Sequence, residues 1–308
     1  MLYVGVDFGG TKIEAAALSQ NGTFLSRQRE PNPGNYKDAL ETVRQLIARV
    51  EAEAKQTDPS LATRVATIGV GAPGSVSPRT GVMRNANSTW LNGTTFREDL
   101  EAAIKRPVRL ANDANCLALS EAIDGAAKGL KTVFAIIVGT GCGGGLVVDG
   151  HLIEGANGLT GEWGHIPLPW QKPEEFPGPT CWCGHKGCLE TWVSGTGFAR
   201  DFQAVTGKAL RSEEIINGMR AGDAECEAAF DRLMDRLGRA MAVTVNMLDP
   251  DAFVFGGGLS NVHEIYDRLT AKILPYVFSD GWRAELKPAQ WGDSSGVRGA
   301  AYLWAQGH

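Results

Sequence analysis

No run of eighteen apolar residues occurs in the 308-residue chain, which excludes a helical membrane span. No apolar leader opens it either: "MLYVGVDFGG" turns to Asp and Gly within seven residues, so no secretory signal is expected. Basic runs are missing. With 30 Lys and Arg against 35 Asp and Glu the net charge is −5, which gives no sign of a nucleic-acid partner. Low-complexity segments are absent too. Cysteine is sparse, with six residues at Cys116, Cys142, Cys181, Cys183, Cys188 and Cys226. In the reducing cytoplasm expected for such a chain, disulfides are disfavoured. Three of the six nevertheless crowd into "TCWCGHKGCLE", Thr180 to Glu190, and a cluster of that kind points to metal.

What is present reads as α/β. "LYVGVD", "IEAAAL" and "TFLSRQRE" are short strands separated by tight turns at Gly9-Gly10-Thr11 and Asn21-Gly22. Leu40, Val43, Ile47, Val50 and Ala54 fall on one stripe and predict an amphipathic helix over Tyr36 to Lys55. "VATIGVGAPG" and "VRLAND" are further strands, the second ending at Asp113 before a helix. From Thr132, "TVFAIIVGTGCGGGLVVDGHLI" repeats the opening as a pattern, not as a sequence, which suggests two related lobes. Ala224 to Leu248 is a long helix stopped by Asp249-Pro250, and "AFVFGGGLS" is a strand meeting a glycine turn with Ser260 as a helix cap. Pro167 to Pro179, with five prolines, is the least regular stretch.

Gly69-x-Gly71-x-x-Gly74 and Gly139-x-Gly141-x-x-Gly144 match a dinucleotide fingerprint, but neither stands between a strand and a helix, so Rossmann binding is not expected. Gly5 to Lys12 only approximates a P-loop. A Gly/Thr hairpin turn still offers backbone N–H groups and a hydroxyl to phosphate. Three such turns, "DFGGTK", "GTGCGGG" and "GGGLS", would supply the separate contacts that ATP needs. Asp113 in "ANDAN" reads either as the N-cap of the helix it precedes or as a general base oriented by Asn112. His165 with Cys181, Cys183 and Cys188 makes the four ligands of a closed structural zinc site, with His185 as the rival fourth ligand.

Together, "VGVDFGGTK", "GVGAPGSV", "ANDANCLALSEA", "GTGCGGG", "GEWGH", "CWCGHKGCLE" and "FGGGLS" resemble the ROK family of sugar kinases and repressors, in the family's order and from Val4 to Ser260. "RNANSTWLNG" and "WGDSSGVRGAAYLW" look most similar to its bacterial fructokinase (mannokinase-like) branch. The first strand starts at Leu2, so the N-terminal DNA-binding domain of ROK repressors is not expected.

The resemblance implies a two-lobed actin/hexokinase-like (ribonuclease H-like) α/β fold, with ATP and sugar bound in the interlobe cleft. Residues 1–113 would form the N-terminal lobe, with a C-terminal helix at about 297–305 packed back on it; 114–296 would form the other lobe, carrying the zinc loop 165–190. Asp7, Gly9, Gly10, Thr11 and Lys12 match the first phosphate motif. Gly139, Thr140, Gly141 and Gly143 match the second, and Gly256, Gly257 and Gly258 the adenosine motif. Asp113 matches the catalytic base; Asn112, Glu162, His165 and Glu190 match sugar ligands, and Asn87 is inferred from the branch-specific "NANSTW". His165, Cys181, Cys183 and Cys188 match the zinc ligands, and Asp7 would hold magnesium directly or through water. The activity implied is ATP-dependent phosphorylation of a hexose, D-fructose first, with mannose, glucose, N-acetylglucosamine or N-acetylmannosamine as alternatives. A cytoplasmic homodimer is the implied assembly. A non-catalytic sugar sensor is the rival from another class, though sensing needs neither Asp7 nor Asp113; a zinc-stapled interaction module would leave the glycine turns unexplained.

Overall fold

The computed structural model of the protein describes residues 1–306. Contacts divide the chain into two compact units, one of Met1–Gly129, Gly145–Thr160 and the chain from Gln290 onward, the other of Leu130–Gly144 and Gly161–Ala289. Among the described residues no helix is long and apolar enough to cross a membrane.

The first sheet begins with β1 (Leu2–Phe8), β2 (Lys12–Ser19) and β3 (Phe24–Pro31), paired antiparallel in sequence. The helix α1 (Tyr36–Thr57) then returns the chain to β4 (Thr67–Ala72), parallel to β1. Asn35 starts α1 by accepting the Asp38 N–H at 3.1 Å, and the buried stripe Val43, Ile47, Val50 and Ala54 seats it on the core. A small hairpin, β5 (Ser75–Val76) with β6 (Met83–Arg84), and α2 (Phe96–Ile104) lead to β7 (Val108–Asn112), parallel to β4. The helix α3 (Asp113–Ile123) follows without a loop. The strand order is β3-β2-β1-β4-β7.

The second sheet repeats that plan. It contains β8 (Thr132–Val138), β9 (Cys142–Val148), β10 (His151–Leu152) and, much later, β11 (Ala252–Gly256) and β12 (Glu285–Pro288), in the order β10-β9-β8-β11-β12. Between β10 and β11 stand α4 (Glu190–Val193), α5 (Gly195–Thr206), α6 (Ser212–Arg220) and α7 (Ala224–Leu248), and between β11 and β12 stands α8 (His263–Ile273). The repeat legible as a pattern is thus a repeat of topology, and both sheets are mixed. Ser260 does not cap α8. Its hydroxyl donates to Gly257 O within a tight turn, and the helix starts three residues later.

The last helix, α9 (Ser295–Tyr302), packs on β1, β4 and α3, and glycines let it lie there. A Cβ on Gly5 would overlap the Val297 carbonyl, one on Gly69 the Ala300 carbonyl, and one on Gly299 the Cys116 carbonyl. Gly69 and Gly71, which mimicked a nucleotide fingerprint, are close-packing positions; a Cβ on Gly71 would stand 2.9 Å from Cys116 Sγ.

The proline-rich stretch is anchored by buried charge. Glu175, in a 3-10 turn of that loop, accepts from Arg236 Nε at 2.9 Å and from Arg239 Nη2 at 2.7 Å, both on α7. Arg239, wholly buried, also donates to the carbonyls of Pro169 and Trp170. Burial alone would raise the Glu175 carboxyl, but the hydrogen bonds from Arg239, the Lys172 N–H and Arg236 hold it at about 2. Its folded value lies below the unfolded one, so its contribution is present above pH ~4.3 and fades as pH falls towards 2. Glu175→Gln is expected to cost about 3–5 kcal/mol at neutral pH by leaving the arginines underpaired. Denaturant midpoints should show the gap between variant and wild type closing below pH ~4.

Candidate active site

In the first unit, β1 and β7 bring Asp7 and Asp113 within electrostatic reach. Desolvation first, then the negative charges of Asp113 and Glu14, push the Asp7 carboxyl up to about 7, against opposition from Lys12 and Arg29. Two carboxylates that repel each other in this way suit a divalent cation, whose charge reverses the balance.

The cap of α3 is Asn112. Its Oδ1 accepts the Ala114 N–H at 2.9 Å and its Nδ2 donates to Gly74 O at 3.2 Å. Asp113, first residue of the helix, accepts the same Ala114 N–H at 2.9 Å but is not needed to cap it. The cap considered for Asp113 belongs one residue earlier.

Asn87 is exposed on a short loop whose shape Asn92 fixes, accepting from Ala86 N–H at 2.8 Å and donating to Ala86 O at 3.0 Å. Trp90 pins the same loop edge-on to Phe8, 5.9 Å between centroids, at the mouth of the Gly9–Thr11 turn. Ser88 Oγ stands 3.6 Å from where a Cβ on Gly10 would lie. The loop bearing Asn87 therefore borders the first phosphate-type turn. Sequence reasoning passed over Ser88, although it sits inside "NANSTW".

In the second unit, parallel pairing of β8 with β11 sets Ile137 opposite Gly256 and lays the other two glycine turns side by side. A Cβ on Gly139 would stand 3.9 Å from Gly257 Cα and 4.0 Å from Gly258 N. The start of α5 supports them: Gly195 N–H donates to Gly139 O at 2.7 Å and Thr196 Oγ1 to Thr140 O at 2.8 Å. "SGTG", Ser194 to Gly197, was missed at the sequence level; a Ser cap followed by glycines was its signal.

Glu162 and His165 bound a single 3-10 turn docked on β9. Trp163 Nε1 donates to Gly143 O at 2.9 Å, and a Cβ on Gly164 would overlap the Cys142 carbonyl. Glu190, first residue of α4, reaches the same segment, accepting the Cys142 N–H at 2.9 Å through Oε2. Its Oε1 accepts from Trp182 Nε1 at 2.8 Å, and the Trp182 ring meets the His165 ring edge-on at 5.0 Å. Trp182, between two cysteines of the cluster, was likewise missed by sequence reasoning.

His165, Cys181, Cys183 and Cys188 converge, with ligand atoms all within 4.8 Å of one another. His165 Nδ1 lies 3.6 Å from Cys181 Sγ, and the sulfurs of Cys183 and Cys188 lie 3.5 Å apart. Zn–S of ~2.3 Å and Zn–N of ~2.0–2.1 Å in a tetrahedron require ligand separations of about 3.5–3.8 Å, which these two separations meet, and one imidazole with three thiols is a donor set that suits zinc. His185 is not in the group; its carbonyl instead accepts the Cys181 N–H at 2.8 Å inside the knuckle.

Comparison with known proteins shows the family. The model of the ROK family matches residues 3–307. N-acetyl-D-glucosamine kinases from Yersinia enterocolitica and Photobacterium profundum are 36% and 37% identical to the chain over 307 residues, covering 98% of it and 99% of each of them. The structure of a ROK hexokinase from Thermus thermophilus superposes with a TM-score of 0.86 at 33% identity, covering 99% of both chains. A ROK glucokinase from Streptomyces griseus, solved with glucose and AMPPNP, gives a TM-score of 0.76 at 28% identity over 100% of both. With the doubled sheet plan, the glycine turns and the His/Cys cluster in one molecule, the chain belongs to the ROK family.

Proposed function

We propose that the protein is an ATP-dependent hexose kinase whose preferred substrate is N-acetyl-D-glucosamine. The observation that carries the chemistry is internal to each unit. Asp113 stands beside the Asp7 end of the first glycine turn, and Glu190 accepts a hydrogen bond from the second. Each unit thus joins a sugar-side carboxylate to a phosphate-side loop, which is what transfer from ATP to a hydroxyl requires.

In this reading Asp113 takes the proton of the attacking hydroxyl, an effect worth ~10²–10⁴-fold. Gly9, Gly10, Thr11 and Lys12, with Gly139, Thr140, Gly141 and Gly143, hold phosphate oxygens, and Gly256, Gly257 and Gly258 border the adenosine. Magnesium bound at Asp7 supplies charge neutralisation on those phosphates. Asn87, Asn112, Glu162, His165 and Glu190 orient the sugar. Zinc held by His165, Cys181, Cys183 and Cys188 completes a closed set of ligands and supplies rigidity, not catalysis.

The fructose preference expected from "NANSTW" and the C-terminal segment finds no support among these relatives, whereas N-acetyl-D-glucosamine, held there as an alternative, does. Glucose is the second reading, favoured by the likeness to the ROK hexokinase and glucokinase structures. A coupled ADP-release assay across N-acetylglucosamine, N-acetylmannosamine, glucose, mannose and fructose should give the highest kcat/KM with N-acetylglucosamine. Fructose in first place would restore the fructokinase reading; no sugar-dependent ADP release would reject the kinase.

A further inference from the structure

We infer that Asn32, which none of the motifs contains, is the residue that aims the first phosphate turn at the nucleotide. The inference deepens the reading of Gly9–Lys12 as a phosphate site and rests on it. Asn32 follows the last residue of β3, in the strand that pairs with β2, and so lies directly against the turn. Its backbone N–H donates to Thr11 O at 2.9 Å, and its side-chain Nδ2 donates to Gly9 O at 2.7 Å. Its Oδ1 accepts the Gly34 N–H at 3.0 Å, which locks the amide in place as an Asx turn. One residue therefore captures the carbonyls on both sides of Gly10.

Consequences follow from the planarity of the peptide. The Gly9–Gly10 bond is trans, so the Gly10 N–H points opposite to the Gly9 carbonyl. With that carbonyl tied to Asn32, the Gly10 N–H is turned to the other side of the loop. No protein acceptor meets the Gly10 or the Thr11 N–H among the described residues, and both residues are exposed. A glycine-rich turn left to itself would sample conformations that present carbonyl oxygens to the phosphates, which repel them. Asn32 removes those conformations. Its role is positional: it touches the turn, not the substrate.

The test uses the full-length chain and two variants. Asn32→Ala should raise the KM for ATP by roughly ten- to a hundredfold, the scale of hydrogen bonds to a charged group, with hexose KM unchanged. In direct binding, ATP and ADP should weaken while adenosine does not. Asn32→Asp keeps the acceptor for Gly34 but loses the donor to Gly9 and adds a negative charge, so it should bind ATP more weakly than the alanine variant. Equal loss for adenosine and hexose would mean general loosening and would overturn the inference. Thr11→Pro, which deletes one of the two N–H groups, tests the level beneath, paired with Thr11→Ala, which deletes only the hydroxyl. Normal ATP binding in Asn32→Ala beside weak binding in Thr11→Pro removes the role of Asn32 alone, and normal binding in Asn32→Ala, Thr11→Ala and Thr11→Pro removes the phosphate reading beneath it.

Discussion

Asp113→Asn is expected to lower kcat by ~10²–10⁴-fold while leaving hexose affinity within about twofold of wild type. The neutral amide accepts no proton at pH 7, but it is isosteric and still accepts hydrogen bonds from sugar hydroxyls. The structure makes this variant cleaner than the sequence suggested. Asn112 caps α3 through its own Oδ1, so helix stability does not hang on the Asp113 side chain. The change also removes one of the negative charges that raise Asp7. Thermal midpoints, hexose binding by calorimetry and initial rates would be measured together. Near-normal turnover with unchanged melting would place the base elsewhere. A matching loss of melting temperature and of rate would return Asp113 to a structural role.

The sequence was legible wherever the signal was local. Hydrophobic period placed α1 within two residues of its end and α7 at its observed bounds, and the Gly/Thr turns fell where strands end. The convergence of His165, Cys181, Cys183 and Cys188 was likewise legible from spacing plus one nearby histidine. What escaped was decided by partners distant in the chain. Gly69 looked like a nucleotide motif because nothing nearby announces that α9, over two hundred residues on, needs its missing side chain. Glu175 looked like an ordinary charge in a loose proline-rich loop because its arginines lie about sixty residues away on α7. Asn32 belongs to no motif, and only the pairing of β2 with β3 brings it under the turn. Choice of hexose is legible to neither spacing nor hydrophobic period, because a carboxylate that accepts from one sugar hydroxyl would serve any hexose, and "NANSTW" is too short to discriminate among them.

The cysteine cluster gives the second large effect. Purified protein should carry about one zinc per chain, resistant to dialysis, and Cys183→Ala should release it. The expected consequence is a hexose KM raised about tenfold or more, with ATP affinity little changed. The chain of cause runs through Trp182. Cys181 and Cys183 flank it, so metal bound on both sides would fix the indole whose Nε1 donates to Glu190 Oε1. The same metal would hold His165, whose Nδ1 lies beside Cys181 Sγ and on whose ring Trp182 packs. Without zinc, three thiols and an imidazole have no common partner, and Glu190 keeps only its bond to the Cys142 N–H. Global unfolding is not expected, because Glu175 still ties the preceding loop to α7 and both units bury apolar cores of their own. Trp182→Phe distinguishes the metal from what the metal positions: it should retain zinc, lose the indole donor to Glu190, and raise hexose KM by a smaller factor than Cys183→Ala. A zinc-free Cys183→Ala protein with unchanged hexose KM would refute the clamp. A Trp182→Phe variant as impaired as the metal-free one would instead remove the separate contribution through His165 and leave the indole as the whole route from metal to sugar.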